Sequence, residues 1–261
     1  MKVPQARASR RGGKSYRWTS LKLRIRDFLA HTPRAERMAR VAWRDLRSLM
    51  LNVRRKLTMV QNILTGNYST LIDFNQVHRV DPEAIEYCAL EEFDIDHYKG
   101  RVIGDDWDQL GKRFCDLDIY SALREVLSGK CAWSETVFFS RIADELSKGR
   151  VLWRCRTRED LVDRCHDIEI LYAQIRDNGY MSQQELANRE SRVGPPMLDD
   201  EITVSIGREG DLLFCNSAHR LCIAKLLKLE SVPVSVAVRH PQWVQHVKQT
   251  GRPENIRSKT S

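Results

Sequence analysis

The stretch from Glu201 to Trp243 constrains the fold of this chain more than any other, because its apolar spacing changes twice. Apolar residues alternate with polar ones from Ile202 to Ile206, and a second short apolar run follows the turn at Gly207 to Gly210. From Leu221 the spacing is helical, and from Val232 to Val238 it returns to a period of two. The pattern predicts a strand, a turn, a strand, a helix and a strand in succession.

The start of this predicted helix is the strongest candidate for a binding site. With Ser217 as the N-cap, Ala218, His219 and Arg220 form the first turn, where backbone N–H groups lack intrahelical partners and the helix dipole is positive. A histidine and an arginine in that turn favour a bound anion, and phosphate is the usual one. The same residues are also compatible with a capped helix whose His219 and Arg220 pair with neighbouring carboxylates or carbonyls.

The sequence Ser217-Ala218-His219-Arg220, with the hairpin before it and the strand after the helix, resembles the G-x-[HR]-R box of the ParB/sulfiredoxin-like superfamily. Its members include CTP-binding partition proteins, ATP-using sulfiredoxins and a free-serine kinase. The resemblance implies an α/β (α+β) fold with a small mixed sheet and flanking helices. It also implies that Ser217, Ala218, His219 and Arg220 bind the phosphates of ATP or CTP with Mg²⁺, and that any catalysis is that of a phosphotransferase or nucleotide hydrolase.

This sequence departs from the family pattern at two positions. Ser217 stands where the family usually has glycine, which hinders a close approach of the backbone to phosphate. Ala218 stands where sulfiredoxin has its catalytic cysteine, and Cys215 lies too early in the loop to be a substitute. Both observations argue against sulfiredoxin chemistry.

A second informative stretch, Tyr98 to Asp108, contains three carboxylates in four positions. A brief strand is predicted at its centre, and Asp105, Asp106 and Asp108 follow directly. Such carboxylates repel one another unless a positive charge lies among them. Either Mg²⁺ or the Arg220 side chain fits that description, and a solvated turn with Asp108 as a helix cap is the plainer alternative.

The resemblance implies that the strand and loop ahead of the nucleotide helix line the same pocket. It therefore predicts one site shared by the helix start and the loop from Gly104 to Asp108. In that site, Asp106 and Asp108 are the predicted catalytic residues, and Asp105 and Asp106 the predicted metal ligands.

Charge divides the chain into an arm and a body. The net charge is +8, but residues 1–60 carry 17 Lys and Arg against three Asp and Glu, a net of +14, so the remainder carries −6. We predict a basic, partly disordered helical arm over 1–60, a body over 61–245 and a polar tail over 246–261.

The arm predicts an alternative function. Between Arg34 and Val60 the apolar residues fall in one broad helical stripe, with arginines outside it. This pattern is compatible with a non-catalytic module that binds nucleic acid or an anionic membrane surface, with a partner helix, and with packing on the protein's own body.

The seven cysteines form no C-x-x-C pair, which argues for a reducing compartment. No apolar run approaches about 18 residues, and the amino terminus is polar, so neither a membrane span nor a secretory signal is predicted. We expect a cytoplasmic protein, and the arm is compatible with peripheral attachment to a membrane.

The region between the two informative stretches is predicted to be mainly helical. Helices are expected from Asp118 to Leu127, after a cap at Ser134, and after a capping box at Thr157. Val151 to Trp153 reads as a short strand. Arg154, Arg156 and Arg158 alternate after it; on a strand they would form an anion-binding row, and at a strand-to-helix junction they would be solvated.

Overall fold

The computed structural model describes residues 46, 50, 53, 57, 58, 60, 61, 63, 64, 77–90, 98–109, 111–189 and 201–250. Internal contacts divide the chain into two units, Met1–Leu51 and Asn52–Ser261. In the first unit only Leu46 and Met50 are described, and both are helical and exposed. The predicted arm therefore lies mostly outside the described residues, and the described sheet and its flanking helices belong to the second unit.

The described strands form one mixed sheet in the order β1-β6-β4-β5-β2, and β3 also pairs with β6. The strands are β1 (Val77–Val80), β2 (Tyr87–Cys88), β3 (Arg101–Val102), β4 (Ile202–Ile206), β5 (Leu212–Asn216) and β6 (Val232–Arg239). The helices are α1 (Asp118–Leu127), α2 (Val137–Ser147), α3 (Arg158–Asn178), α4 (Gln183–Arg189), α5 (Ala218–Leu226) and α6 (Pro241–Thr250). The predicted α/β class is confirmed.

The unit β4-β5-α5-β6 matches the pattern predicted from the sequence. All eight residues of β6 are buried, as its apolar run predicts for a central strand. The connection from β4 to β6 passes through β5 and α5 because the two strands are parallel neighbours. Four consecutive residues of α5, from Leu221 to Ala224, are buried, so this helix is part of the core and its position is fixed.

The strand directions give the sheet two distinct ends. Asn216, at the end of β5, pairs with Thr203 near the start of β4. β3 runs parallel to the last residues of β6, with Val102 opposite Arg239. The start of α5 therefore lies at the amino end of β4, and the loop after β3 lies at the carboxyl end of β4 and β6.

The N-cap residues of the helices can be compared one by one with those predicted from the sequence. Thr157 and Asp160 form the predicted capping box, with Thr157 Oγ1 accepting from the Asp160 N–H at 3.1 Å. The predicted cap at Ser134 is wrong. The chain first makes a short 3₁₀ turn at Trp133–Glu135, and Thr136 Oγ1 accepts from the Phe139 N–H at 3.2 Å as the cap of α2.

The predicted strand at Val151 to Trp153 is also wrong. Leu152 and Cys155 exchange backbone hydrogen bonds of 3.3 and 2.7 Å across a two-residue turn. Both central residues are left-handed, with φ of 52° at Trp153 and 64° at Arg154. This is the geometry of a type I′ turn, which usually requires glycine or asparagine, so the turn is strained by roughly 1 to 2 kcal/mol per residue.

The carboxyl-terminal helix α6 runs through the boundary predicted at residue 245. Its buried residues Trp243, Val244 and Val247 pack against the core. No helix in the described ranges is long and apolar enough to cross a membrane. No disulfide joins the seven cysteines, all of which are described.

Replacing Lys228 by glycine should raise the free energy of unfolding by about 1 kcal/mol. Lys228 follows α5 with φ 51°, and the N–H groups of Lys228 and Leu229 donate to Lys225 O and Ala224 O, both at 3.1 Å. These two bonds form a Schellman motif, in which the left-handed residue is normally glycine. Urea denaturation measures the change. Lys228→Ala is the control, and an equal gain from alanine would contradict the assignment.

Candidate anion-binding site

Ser217 leaves the start of α5 open. Its φ of 70° and ψ of 46° are left-handed, which explains why a glycine would suit this position. Its hydroxyl donates to Glu201 O at 3.0 Å and does not cap the helix. Arg220 N–H bonds to Ser217 O at 3.1 Å, whereas the N–H groups of Ala218 and His219 have no acceptor among the described residues. Two amides therefore remain available to a ligand.

Three arginines lie close enough to His219, in the first turn of α5, for their charges to act on its ring. Arg220 belongs to α5 itself, Arg164 to α3 and Arg154 to the strained turn before α3. Burial is the main cause that lowers the pKa of His219, and the charges of Arg164, Arg220 and Arg154 lower it further, to about 3. His219 is therefore neutral at physiological pH, and the positive potential at this point comes from three guanidinium groups.

None of the three arginines forms an ion pair with a carboxylate in the parts of the chain that the structure describes. Arg164 lies over the Trp153 ring at 5.5 Å, and its Nε is buried without a hydrogen-bond acceptor. A buried donor without an acceptor is costly, and natural proteins seldom retain one unless a ligand or water satisfies it. The cluster therefore has the properties of a site that is completed by an anion.

Tyr180 and Gln183 form the inner wall beside Arg220. The Arg220 guanidinium lies 6.0 Å from the centre of the Tyr180 ring. With its amide oxygen turned toward Arg220, Gln183 accepts from Nη2 at 3.0 Å and from Nη1 at 3.3 Å. The Tyr180 hydroxyl is buried with no well-formed hydrogen bond, and burial raises its pKa to about 12, so it stays a donor.

The buried carboxylate of Glu201 lies beside Gln183 and Tyr180, and Asp160 lies beside the turn that carries Arg154. Glu201 is fully buried, and its Oε1 accepts from the Gln183 N–H at 2.5 Å. Its negative charge helps to raise the pKa of Tyr180. Glu201 therefore neutralises only part of the positive charge of the cluster.

The carboxylates of the loop after β3 contact a different arginine. Arg208, in the turn between β4 and β5, donates to Asp108 from its backbone N–H at 2.7 Å, from Nε at 2.9 Å and from Nη2 at 2.6 Å. Its Nη2 also reaches Asp106 Oδ1 at 2.7 Å and Asp105 O at 3.2 Å. The positive charge among these carboxylates is thus Arg208, where the sequence suggested Mg²⁺ or Arg220.

Asp108 is the centre of this contact. Its side chain is 3% exposed, against 70% for Asp106. Burial alone would raise the pKa of Asp108, but the hydrogen bonds from Arg208 bring it below its ordinary value. Gly207 leaves room for this contact, because a side chain at that position would begin 3.3 Å from Asp108 Cβ, which is tighter than an ordinary van der Waals contact. Asp108 therefore fastens the β4–β5 turn to the loop after β3.

The structure does not bring the two predicted halves of the site together. Ser217 Oγ contacts Glu201, just before β4, whereas Arg208 follows the carboxyl end of β4. The five extended residues of β4 lie between these two positions and span roughly 17 Å at about 3.3 Å per residue. Asp105, Asp106 and Asp108 are thus at the opposite end of the sheet from Ala218, His219 and Arg220. Among the described residues, no group of three or more His, Cys, Asp or Glu side chains has the geometry of a metal site.

His240 supports the loop after β3. Its Nδ1 accepts from the Gln242 N–H at 3.3 Å, so the proton lies on Nε2, which is 3.2 Å from Asp105 O. The Trp107 ring lies 6.2 Å from the His240 ring, and Trp107 Nε1 donates to Ile103 O at 2.8 Å. These contacts hold the loop as a packed structural element.

A cavity of about 300 Å³ lies elsewhere, against the carboxyl-terminal half of α5. Its charged side chains include both signs, and Lys225 pairs with Glu83 at 3.3 Å. It presents no net field that selects an anion or a cation. The cavity is lined by Asp81, Glu83, Ala84, Glu86, Arg113, Phe114, Cys115, Tyr120 and Lys225.

Cys215 is not positioned as a nucleophile. It lies in β5, where Sγ is 3.2 Å from Ser205 Oγ and 3.3 Å from Leu213 O. Burial raises the pKa of its thiol to about 12, so the reactive thiolate is scarce at neutral pH.

Comparison with family models, curated proteins and solved structures found no match to this chain. The resemblance to the ParB/sulfiredoxin-like superfamily therefore stays a prediction.

Proposed function

We propose that this protein binds a nucleoside triphosphate, ATP or CTP, through its phosphates at the start of α5. The observation that carries the proposal is the convergence of Arg154, Arg164 and Arg220, without carboxylate partners in the described structure, on a helix start with two open amides. A polyphosphate accepts hydrogen bonds from guanidinium groups and amides and compensates several positive charges together.

The proposed contacts are assigned by chemistry. The N–H groups of Ala218 and His219 hold one phosphate, in the manner of other helix starts that bind anions. Arg220 and Arg164 supply charged donors, and the Tyr180 hydroxyl supplies a neutral one. His219 contributes its backbone amide and its neutral ring, because the pKa of the ring is too low for a charge.

Magnesium enters this proposal with the nucleotide. The predicted ligands Asp105 and Asp106 lie next to Arg208 at the other end of the sheet, so these residues do not fit a metal at the phosphate site. Mg²⁺ commonly takes most of its ligands from phosphates and water. Phosphotransferase or hydrolase activity remains a prediction, and the proposal gives Asp106 and Asp108 no catalytic role.

Arg220→Ala should weaken binding of ATP or CTP by about 10- to 100-fold, since a hydrogen bond to a charged group contributes roughly 1.5 to 3 kcal/mol. Titration calorimetry with ATP, CTP and inorganic tripolyphosphate, each with and without Mg²⁺, measures this and separates phosphate recognition from base recognition. Arg154→Ala is the second variant, because Arg154 is exposed and makes no described hydrogen bond whose loss would unfold the protein.

Arg176→Ala is the matched control, since Arg176 is an exposed arginine on α3 that pairs with Asp177. The unliganded Arg154→Ala protein should be at least as stable as wild type, because one of three mutually repelling charges is removed. Absence of binding by all three polyphosphates, or an equal loss in Arg176→Ala, would refute the proposal.

A further inference from the structure

A helical segment ahead of the sheet carries apolar side chains on the outside of the protein. Val53, Leu57, Val60 and Leu64 are exposed by 51, 65, 53 and 82%. They recur at spacings of four, three and four residues, which places them on one face of a helix. We call these four residues the apolar stripe. Ile63, exposed by 50%, lies beside it.

The opposite side of the segment faces the protein. Thr58 is half-buried, and its Cγ2 is 3.2 Å from where a side chain at Gly100 would begin. At about 100° per residue, Thr58 points roughly 130° away from the centre of the apolar stripe. An amphipathic helix that serves its own core turns its apolar face inward, so this helix has the reverse orientation.

The sequence around the apolar stripe is basic. No Asp or Glu occurs between positions 46 and 72, whereas Arg47, Arg54, Arg55 and Lys56 do. A helical spacing predicts that Arg54 and Lys56 border the stripe on its two sides. An exposed apolar face bordered by cations is the pattern of helices that lie in the interface of a membrane.

We propose that the apolar stripe docks on the surface of a bilayer that contains anionic lipids. A second copy of the chain would cover the apolar residues, but it would bring together two segments of net charge +14 over residues 1–60. Nucleic acid would complement the cations and leave the leucines in water. An anionic bilayer satisfies both features, with the leucines among the acyl chains and the arginines on the headgroups. This surface does not depend on the phosphate site.

The test is co-sedimentation of the full chain with vesicles of phosphatidylcholine alone or of phosphatidylcholine with phosphatidylserine. We expect binding only to the second kind, and weaker binding as salt rises. Leu57→Ser with Leu64→Ser should reduce the affinity by about 100-fold, roughly tenfold for each leucine withdrawn from the bilayer. Both residues are exposed, so the double variant should fold.

Val137→Ser with Val162→Ser is the matched control, because these valines are exposed by 76 and 52% on α2 and α3. The control should bind vesicles as wild type does. Arg220→Ala should also bind normally, so a failure of nucleotide binding and a failure of membrane binding are distinguishable.

Three results would overturn the inference. The first is no binding to the anionic vesicles. The second is vesicle binding that the leucine changes leave intact, which would mean that charge alone causes the binding. Binding of nucleic acid that the leucine changes also leave intact would identify nucleic acid as the partner instead. The third is a dimer, measured by sedimentation, that the leucine changes dissociate while vesicle binding persists.

Discussion

Replacing Asp108 by asparagine should lower the free energy of unfolding by about 2 to 3 kcal/mol. The carboxylate accepts four hydrogen bonds of 2.6 to 3.1 Å from Arg208, and its side chain is 3% exposed. An amide removes the negative charge and presents an NH₂ group toward a guanidinium that also donates. Arg208, whose side chain is 33% exposed, is then left beside a neutral partner. Chemical denaturation measures the loss directly.

Asp106→Asn provides the matched control for that measurement. Asp106 contacts the same Arg208 Nη2 at 2.7 Å, but its side chain is 70% exposed, so this change should cost less than about 0.5 kcal/mol. The contrast between the two aspartates tests the assignment of Asp108 as a structural clamp. Equal effects of the two changes, or an unchanged stability in Asp108→Asn, would contradict it.

The same contrast separates the clamp from a catalytic role. The sequence suggested Asp106 and Asp108 as catalytic and Asp105 and Asp106 as metal ligands. Removal of a metal-binding carboxylate usually relieves repulsion and stabilises an empty site, because like charges are no longer held together. A clamp shows the opposite sign. The direction of the stability change therefore distinguishes the two interpretations without any assay of activity.

The sequence predicted local structure well where the spacing was long and regular. Three predictions were confirmed because the residues that determine each element lie within about ten positions of one another. They are the β4-β5-α5-β6 unit, the helix from Asp118 to Leu127 and the capping box at Thr157. The cap of α2 was missed because Ser134 and Thr136 are both good N-caps and only the 3₁₀ turn at Trp133–Glu135 selects the second.

The composition of the site was less predictable, because it depends on pairing between distant segments. Arg208 follows Asp108 by one hundred positions, and the sequence around either residue does not predict a contact with the other. Once β3 pairs in parallel with the end of β6, its following loop must lie at the carboxyl end of the sheet. That register separates the aspartates from the start of α5.

Arg154 and Arg164 were missed for different reasons. Alternation of Arg154, Arg156 and Arg158 suggested either a strand with an anion-binding row or a solvated junction. Arg154 and Arg158 are exposed, as at a solvated junction, but the left-handed turn at Trp153 and Arg154 was not predicted. Arg164 lies in the first third of α3, whose many charged residues are not confined to one face in the sequence pattern. Strain at the turn persists because packing of Trp153 against Phe138, at 4.7 Å between ring centres, stabilises it.

Lowering the pH from 7 to 5 should destabilise the unliganded protein through His219. The pKa of this ring is about 3 in the folded state, lowered by burial first and then by Arg164, Arg220 and Arg154. The unfolded value is about 6.5, so the unfolded state binds the proton first. The stabilising contribution is complete above pH 6.5 and is lost as the pH falls toward 3. At pH 5 the loss is about 2 kcal/mol.

His219→Gln should remove this pH dependence, because a glutamine side chain does not titrate. His246→Gln is the control, since His246 is an exposed histidine on α6, and its unfolding curves should follow those of wild type. Urea denaturation at several pH values gives the slopes, and the ring proton shift of His219 followed by NMR gives its pKa. Parallel slopes for wild type and His219→Gln, or a ring that titrates near 6.5, would contradict the assignment.

A bound polyphosphate should reverse the effect. The anion compensates the charges of the three arginines, so protonation of His219 becomes less costly and its pKa rises toward the ordinary value. Tripolyphosphate should then stabilise wild type more at pH 5.5 than at pH 7. Protonation of the ligand also changes between these pH values, so the same two measurements on His219→Gln are subtracted to correct for it. This linkage follows only if the anion binds where the arginines act on His219, so the difference between the two proteins locates the ligand at the start of α5.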